Sequence, residues 1–164
     1  MVGGELSIVE VPAEDRKGLL HILDESFEGW YLWHSRRTMR DVELVLEAVL
    51  EDSAVGLIML KEIWEGTGYI YYLAVLPEFR KRGIGGALLD EALTRFSSKG
   101  MSSVYASVEE DNMPSLSLLH SKGFMKTDFG DMSRLHGRLT ALRVMSRMQT
   151  VPGEEVLRKA LHSD

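Results

Sequence analysis

Residues 69–108 read as a strand, a glycine-rich basic turn, a helix and a second strand, in that order. The segment "YIYYLAVL" has the aromatic and β-branched composition of a strand, and Pro77 ends it. The segment "IGGALLDEALTRFSSKG" predicts a helix that stops at Gly100, and "SSVYASV" predicts the next strand. Two such strands joined by a helix lie parallel in one sheet, as a right-handed crossover. This unit therefore indicates an α/β fold.

The turn inside this unit has the features of an anion-binding loop. The string "RKRGIGG" spans residues 80–86 and combines three cations with three glycines. Its backbone N–H groups precede a helix, where the helix dipole is positive and glycine lets an anion approach closely. A basic turn before a helix is the simpler alternative. However, Gly85 and Gly86 would each cost up to about 1 kcal/mol relative to alanine in a first helical turn. The pattern therefore favours a phosphate ligand.

The rest of the chain predicts further strands and helices. We expect strands at "ELSIVEV", "AVGLIMLKEI" and "TALRVMSRM", and helices at "AEDRKGLLHILDESFEG", "NMPSLSLLHSKG" and "GEEVLRKALHSD". The second of these strands forms a hairpin with "YIYYLAVL". The segment "TMRDVELVLEAVLED" is ambiguous. It has one apolar helical face, and Thr38 with Asp41 resembles a capping box, but Leu44, Leu46, Ala48 and Leu50 would equally form one face of a strand. We expect a helix that turns to strand near its end. The aromatic stretch "WYLWHS" is expected to be irregular. Together these elements predict one mixed α/β domain.

Composition excludes several classes of protein. Cysteine is absent, which excludes a disulfide framework, a thiolate metal site and a cysteine nucleophile. The histidines His34, His136 and His162 are dispersed, so we expect no metal. The start "MVGGELSIVEVP" lacks the charged and apolar regions of a signal peptide, and no apolar run is long enough to span a bilayer. We therefore expect a cytoplasmic protein that does not bind membranes.

Charge is divided unevenly along the chain. The net charge is −6, but residues 1–79 hold 15 acids and 6 bases, a net of −9, and residues 80–164 hold 10 acids and 13 bases, a net of +3. Such a division can mean two ligands of opposite sign, although solvated faces that differ by chance give the same pattern. A nucleic-acid binder would have to use arginines of residues 134–147. The acidic chain and the lack of a binding motif argue against that class.

The phosphate loop fits one known pattern. The Walker string GxxxxGK[ST] is absent, and the dinucleotide pattern GxGxxG fails because Leu88 follows Gly83 and Gly85. The pattern R-x-x-G-x-G fits, with Arg80 in first place. With "LAVLPEF" upstream, the segment "YLAVLPEFRKRGIGGALL" resembles the cofactor-binding segment of the GNAT family of N-acetyltransferases. The segment "VYASVEEDNMPSLSLLHSKGF" looks like the family's next strand and helix, and "TALRVMSRM" is similar to its last strand.

This resemblance runs from about Tyr69 to Met148 and implies a fold, a domain and a co-substrate. It implies the acyl-CoA N-acyltransferase fold, in which helices flank a mixed, mostly antiparallel central sheet. We expect this domain over residues 1–150, followed by a short helical tail over residues 151–164. The co-substrate would be acetyl-CoA, with its diphosphate on the amides of residues 81–86. The implied cofactor-binding residues are Leu73, Ala74 and Val75 along the pantetheine arm, Arg80, Lys81, Arg82, Gly83, Ile84, Gly85 and Gly86 in the loop, and Asn112.

The family's usual acid is missing from this chain. Its members protonate the leaving thiolate with a tyrosine on the helix after Asn112, and that position is Leu119 here. His120 is adjacent but lies about 100° further round the helix, so we interpret it as a surface histidine. The reaction can proceed without this acid, because the conjugate base of a thiol with a pKa of about 8.5 is a good leaving group even when it is not protonated.

The base is also missing from its usual places. An alkyl ammonium with a pKa of about 10.4 must lose a proton before it attacks, which costs about 4.6 kcal/mol at pH 7. The positions where relatives carry a base correspond to Tyr71 and Ser107. Glu109 lies on the same strand face as Ser107 and could draw a proton through water, although a solvated acid at a strand end is the simpler interpretation. The catalytic candidates are thus Tyr71, as a lining of the acceptor channel, and Glu109.

The acceptor site in such folds is built by the first two helices and their connection, here "FEGWYLWHSRR". Glu28, Trp30 and Trp33 could hold a cation by charge and cation–π contact, although the two tryptophans could equally cap the core. The acceptor would be an amine: a protein N-terminus, a lysine or a small amine such as a polyamine. The rival hypothesis is a non-catalytic acyl-CoA-binding regulatory module, and the sequence leaves open a homodimer.

Overall fold

The computed structural model describes residues 4–162. Residues 1–3 of the amino-terminal segment, and Ser163 and Asp164 of the predicted tail, lie outside it. The strands are β1 (Leu6–Glu10), β2 (Leu44–Leu50), β3 (Ser53–Trp64), β4 (Thr67–Val75), β5 (Ser103–Glu109), β6 (Met125–Lys126) and β7 (Glu154–Ala160). The helices are α1 (Leu20–Ser26), α2 (Gly29–Asp41), α3 (Ile84–Ser98), α4 (Met113–Ser121), α5 (Phe129–His136) and α6 (Arg138–Met148). Two 3₁₀ helices span Ala13–Leu19 and Pro77–Phe79.

The strands form one mixed sheet in the order β1-β2-β3-β4-β5-β7-β6. β4 and β5 are parallel, with Thr67 opposite Ser103 and Ile70 opposite Ala106, and α3 connects them. β1, β2 and β3 pair antiparallel, as do β5 with β7 and β6 with β7. The predicted mixed, mostly antiparallel sheet with flanking helices is therefore confirmed, and so is the parallel unit of β4, α3 and β5.

Two compact units divide the chain, one made of residues up to 61 with 71–94 and the other of residues 62–70 with 95–164. In the first unit, α1 and α2 bury their apolar faces against β2, β3 and the end of β4. Its core includes Ile22, Leu23, Met39, Val45 and Leu57. These positions follow helical spacing in the helices and alternation in the strands, so hydrophobic burial explains both patterns.

The second unit buries large side chains from β5, α4–α6 and β7. Tyr105 of β5 and Phe124, just after α4, are completely buried. Gly100 and Gly123 follow α3 and α4 with φ angles of 77° and 87°, as glycines at helix ends do. Among residues 4–162, no helix is long and apolar enough to cross a membrane.

Two predicted elements near the carboxyl terminus are wrong. The segment "TALRVMSRM" is not a strand but part of α6, which buries Ala141, Val144 and Met148 at helical spacing. The tail is not a helix, because Glu154–Ala160 form β7 and pair with all of β5, from Ser103 to Glu109. The tail's helix-forming composition is overridden by this pairing, which satisfies the backbone groups of both strands.

The segment between α1 and β2 also differs from the prediction. The stretch "WYLWHS", expected to be irregular, lies in α2, which runs from Gly29 to Asp41. Thr38 accordingly lies in the last turn of α2 rather than at a helix start, so the predicted capping box is wrong. The residues from Leu44 onward form β2, so the strand alternative is correct there and the helix is wrong. Leu44, Val45 and Leu46 are all buried, which is why the apolar pattern also fitted a helix.

Candidate functional site

The glycine-rich loop joins the end of β4 to the start of α3 in a conformation suited to an anion. Lys81 and Gly83 both have left-handed φ angles, 61° and 80°. Such alternation turns neighbouring backbone N–H groups toward one concave side. The amide of Ala87 donates to the carbonyl of Gly83 at 3.0 Å, which is the first i→i−4 hydrogen bond of α3. The amides of residues 84–86 come before it and so have no acceptor within the helix. A Cβ at Gly83 would meet no other atom within 4 Å, so the loop is open.

Two of the loop's cations are held by neighbouring groups. The Nε atom of Arg80 donates to the carbonyl of Val75 at 2.9 Å and so ties the loop to the last residue of β4. The guanidinium of Arg82 lies 5.2 Å from the ring centroid of Phe79. Lys81 is exposed. The loop therefore offers positive charge on a backbone that its own contacts hold in place.

The end of β4 presents backbone groups on the edge opposite β3. The amide of Leu76 donates to the carbonyl of Val55 in β3 at 2.9 Å. Successive residues of a strand direct their N–H and C=O groups to alternate sides, so those of Leu73 and Val75 point away from β3. The register of β4 with β5 ends at Ile70. The backbone at residues 73–75 can therefore pair with an extended ligand, and its pairing with a pantetheine arm, implied by the resemblance, stays a prediction.

Tyr71 lies half-buried against the core of the first unit. Burial raises the pKa of its phenol above the usual value of 10.0. The hydroxyl therefore stays protonated at neutral pH and can donate a hydrogen bond, but it is a poor proton acceptor. This property fits a lining residue better than a general base.

His34, for which the sequence predicted no functional role, lies in an aromatic cluster on α2 and β4. The Nδ1 atom of His34 is 2.6 Å from the hydroxyl of Tyr72. The ring of Trp30, four residues earlier on α2, stacks on the imidazole with centroids 4.7 Å apart and planes 11° apart. Phe27 packs edge-on against Tyr72 at 5.2 Å. Tyr72 is buried and His34 is half-buried, so the cluster fixes one imidazole orientation at the surface of the unit. The i, i+4 spacing of Trp30 and His34 was the only sequence signal for it.

The three predicted acceptor residues do not share one environment. Trp30 is 46% exposed and lies in the His34 cluster. Glu28 is exposed and precedes the first turn of α2, with no capping hydrogen bond from its side chain. Trp33 is more exposed, at 57%, and the guanidinium of Arg37 lies 5.6 Å from its ring centroid. Trp33 is therefore already next to a cation.

The remaining predicted residues belong to the second unit. Asn112 caps α4, where its Oδ1 atom accepts from the amide of Ser115 at 3.3 Å. Glu109 is exposed at the end of β5, and the Oγ atom of Ser107 is buried with no hydrogen-bond partner in the part of the chain described. Leu119 is buried, so no acid replaces the family's tyrosine there.

His120 is a structural histidine. Its ring is exposed, and its Nδ1–H donates to the carbonyl of Phe124 at 3.1 Å. A carbonyl only accepts, so this contact places the Nδ1 proton of the neutral ring. The contact closes the carboxyl end of α4, which supports the interpretation of His120 as a surface residue.

The second unit also contains a polar cluster that the sequence did not predict. The hydroxyl of the fully buried Tyr105 lies 2.9 Å from Nε2 of His136 in α5. Arg158 of β7 donates through Nε to the hydroxyl of Ser103 at 3.0 Å. Burial raises the pKa of Tyr105, while burial and then the charge of Arg158 lower the pKa of His136.

Comparison with known proteins gives one consistent result. The family model described as "Acetyltransferase (GNAT) family" matches residues 13–124. The ribosomal-protein-S18-alanine N-acetyltransferase from Escherichia coli has a TM-score of 0.73 and 14% identity, covering 98% of this chain and 96% of that one. The PaiA N-acetyltransferase from Thermoplasma acidophilum, solved in complex with coenzyme A, has a TM-score of 0.69 and 20% identity, with 95% and 99% covered. An acetyltransferase of the GNAT family from Staphylococcus aureus Mu50 has a TM-score of 0.76 and 13% identity, with 96% and 100% covered.

Proposed function

Because the chain belongs to the acetyltransferase (GNAT) family, we propose that it moves the acetyl group of acetyl-CoA onto a primary amine. The observation that carries this proposal is the loop after β4. It combines left-handed Lys81 and Gly83 with the open amides at the start of α3. A diphosphate needs such a concave set of N–H donors, and the residues of this loop fit a diphosphate. The thioester of acetyl-CoA supplies an activated acyl group with a good leaving group.

Each part of the loop and of β4 has a proposed task toward this co-substrate. The amides of residues 81–86 hold the diphosphate, with Lys81 and Arg82 adding charge. Arg80 keeps the loop in place through its bond to Val75. The backbone of residues 73–75 pairs with the pantetheine arm. Asn112 remains a proposed contact of the same arm.

The backbone of β4 also suits the charge that develops during transfer. The attacking amine adds to the thioester carbonyl, and the carbonyl oxygen becomes an oxyanion before the thiolate leaves. The N–H groups of Leu73 and Val75 point to the free side of β4, so either can donate to that oxyanion. Leu119 offers no proton to the thiolate, and the thiol's low pKa of about 8.5 makes that donation dispensable.

Proton removal from the amine is assigned to the pair of His34 and Tyr72. The amine arrives as an ammonium ion, and its neutral form is needed for attack. The Tyr72 hydroxyl can pass a proton to Nδ1 of His34, since 2.6 Å is a short hydrogen-bond distance. Trp30 fixes the imidazole by stacking. Tyr71 keeps its proton and lines the channel, and Glu109 remains a second candidate for a relay through water.

The proposed acceptor is a cationic amine bound near Glu28 and Trp30. The first 79 residues carry 15 acids and only 6 bases, so most of this region attracts cations. Glu28 and the half-exposed ring of Trp30 supply charge and a cation–π surface. Trp33 is less suited to that task, because a substrate cation there would meet Arg37. Candidates are a protein N-terminus, a lysine or a polyamine.

A panel of amines tests this function. Acetyl-CoA is mixed with peptides that have free N-termini, with lysine peptides and with polyamines, and release of free CoA is followed over many turnovers. We expect steady release with at least one acceptor class, and acetylated amine in equal amount by mass spectrometry. Tight acetyl-CoA binding without release on any amine would favour the non-catalytic acyl-CoA-binding module instead.

A further inference from the structure

A cleft of about 500 Å³ lies in the first unit between the first 3₁₀ helix and the carboxyl-terminal half of α2. This volume is in the usual range for pockets that bind small molecules. Its polar and aromatic lining consists of Arg16, Lys17, Trp33, Arg36, Arg37 and Arg40. Within the part of the chain described, the lining includes no residue of β4 or of the glycine loop. The cleft is therefore separate from the residues assigned to acetyl-CoA.

The cleft gathers nearly all the positive charge of an acidic region. Residues 1–79 contain only 6 bases against 15 acids, and five of those six bases line this cleft. The sixth is Lys61, which lies in β3. Cations that repel one another need a reason to converge when so many carboxylates are available in the same region. This concentration indicates a place for negative charge.

Carboxylates of the protein neutralise little of this charge. Arg36 forms a two-point ion pair with Asp24, at 2.8 and 2.9 Å. Lys17, Arg37 and Arg40 have no carboxylate oxygen within 4.0 Å among residues 4–162. The negative end of the α2 dipole favours a cation such as Arg40. It does not explain Lys17, which comes from another element.

Arg16 adds a buried cation to the cleft. The residue is 8% exposed, and its guanidinium donates to the carbonyls of Met39 and Val42 at 3.1 and 2.7 Å. These bonds satisfy carbonyl groups at the end of α2. Its buried Nε has no hydrogen-bond partner in the described part of the chain. Burial lowers the pKa of Arg16, and the negative charge of Glu10 offsets this effect only in part, so a bound anion would add to the compensation.

Trp33 supplies an apolar surface beside these cations. Its ring is 57% exposed, and Leu20 and Met39 extend the apolar wall of the cleft. A large aromatic ring exposed in a basic cleft is suited to stacking on a flat ligand. The ligand should therefore combine negative charge with a planar ring.

We propose that this cleft binds a phosphorylated small molecule with a planar ring, of which a nucleoside monophosphate is the simplest example. A phosphate monoester carries nearly two negative charges and three acceptor oxygens. It can therefore contact several of Lys17, Arg37 and Arg40 at once, and arginine forks match phosphate geometry. A single carboxylate carries one charge and satisfies fewer of these cations. The ring of the ligand stacks on Trp33.

A nucleotide could also bind at the proposed diphosphate loop, so binding to the cleft is measured in a variant in which that loop is blocked. AMP, GMP and UMP are titrated into folded Gly85→Glu protein, and tryptophan fluorescence and calorimetry are recorded. We expect saturable binding, with fluorescence quenching that Trp33→Phe removes. Lys17→Glu and Arg40→Glu should each weaken binding about tenfold or more, which is about 1.4 kcal/mol. Adenosine should bind much more weakly than AMP.

Lys61→Glu is the matched control, because it makes the same charge change outside the cleft. It should leave nucleotide affinity within about twofold, since it lies beyond the lining residues. Equal weakening by Lys61→Glu and Arg40→Glu would show general attraction rather than a site and would overturn the proposal. It is also overturned if no nucleotide binds saturably, or if benzoate binds as tightly as AMP. None of these outcomes depends on acetyl transfer, so the proposed function stands or falls separately.

Discussion

The Nδ1 atom of His34 lies 2.6 Å from the hydroxyl oxygen of Tyr72, and this contact joins α2 to β4 in the first unit. The two residues are 38 positions apart in the chain, so only the packing of α2 against the sheet brings them together. In the proposed mechanism this pair is the proton acceptor, because the family's usual base positions hold Tyr71, whose pKa is raised by burial, and Ser107, whose hydroxyl is a poor base.

Replacing His34 should change how the rate depends on pH. A histidine base gives a rate that levels off near neutral pH, whereas loss of the amine proton to solvent gives a rate that keeps rising. We expect His34→Gln to lower kcat by about 100-fold at pH 7 and to remove the plateau. Tyr72→Phe keeps the ring packed against Phe27 and should cost about tenfold, or about 1.4 kcal/mol in the barrier. Steady-state kinetics from pH 6 to 10 measure both.

The control for this prediction is His21→Gln. His21 is exposed, and its Nδ1–H donates to the carbonyl of Gly18 at 2.9 Å. This variant should keep the wild-type pH profile, and the KM for acetyl-CoA should not change in any of the three variants. An unaltered plateau in His34→Gln would assign the base elsewhere, with Glu109 the next candidate.

His120 and Leu119 should matter little for leaving-group departure. His120→Ala removes a hydrogen bond to the carbonyl of Phe124, so we expect a loss of about 1 kcal/mol in the free energy of unfolding. Its activity should fall less than tenfold. Because Leu119 is buried, Leu119→Tyr should destabilise the fold by about 1–3 kcal/mol through overpacking. Urea unfolding and kinetics measure these effects, and a loss of hundreds-fold in His120→Ala would identify it as the acid.

The free energy of unfolding should decrease at acidic pH because of His136. Burial and the charge of Arg158 lower the pKa of this imidazole below 6.5, so the folded state holds it neutral. Below pH 6.5 the unfolded chain binds the proton more readily, and stability therefore decreases as pH falls toward the lowered pKa. Above pH 6.5 the imidazole is neutral in both the folded and the unfolded state, so His136 no longer lowers the free energy of unfolding. We expect His136→Gln to lose less free energy of unfolding than wild type between pH 7.5 and pH 5.

Urea unfolding at the two pH values measures this difference. His162→Gln replaces an exposed histidine and should retain the full wild-type decrease. Tyr105, whose hydroxyl faces His136, stays protonated throughout this range because burial raises its pKa. Identical pH dependence in wild type and His136→Gln would show that other groups cause the decrease.

The glycine-rich loop between β4 and α3 could be predicted from sequence because its residue pattern is local. Three cations and three glycines between a strand and a helix specify both the charge and the backbone freedom that a diphosphate needs. The left-handed φ of Lys81 could not be predicted, since a lysine rarely adopts it. Asn112 was correctly predicted to begin α4, because an N-cap asparagine acts on residues close by in the chain.

Features that depend on distant partners were missed. The tail has a helix-forming composition, and only its pairing with β5 and β6 makes Glu154–Ala160 a strand. The segment of α6 was read as a strand although Ala141, Val144 and Met148 had helical spacing, so that signal was present and misinterpreted. The basic cleft could not be predicted, because Lys17 and Arg40 lie 23 positions apart and meet only when α2 packs beside the 3₁₀ helix.

Calorimetric titration of acetyl-CoA into Gly85→Glu tests the central claim most directly. The added carboxylate enters the proposed diphosphate site with like charge, while an acid in the first turn of a helix favours the fold. Gly18→Glu is the control, since a side chain at Gly18 meets no atom within 4 Å. With circular dichroism unchanged, we predict saturable binding by wild type and Gly18→Glu and affinity lower by about 100-fold in Gly85→Glu. Wild-type affinity in folded Gly85→Glu would contradict the assignment of this loop to acetyl-CoA.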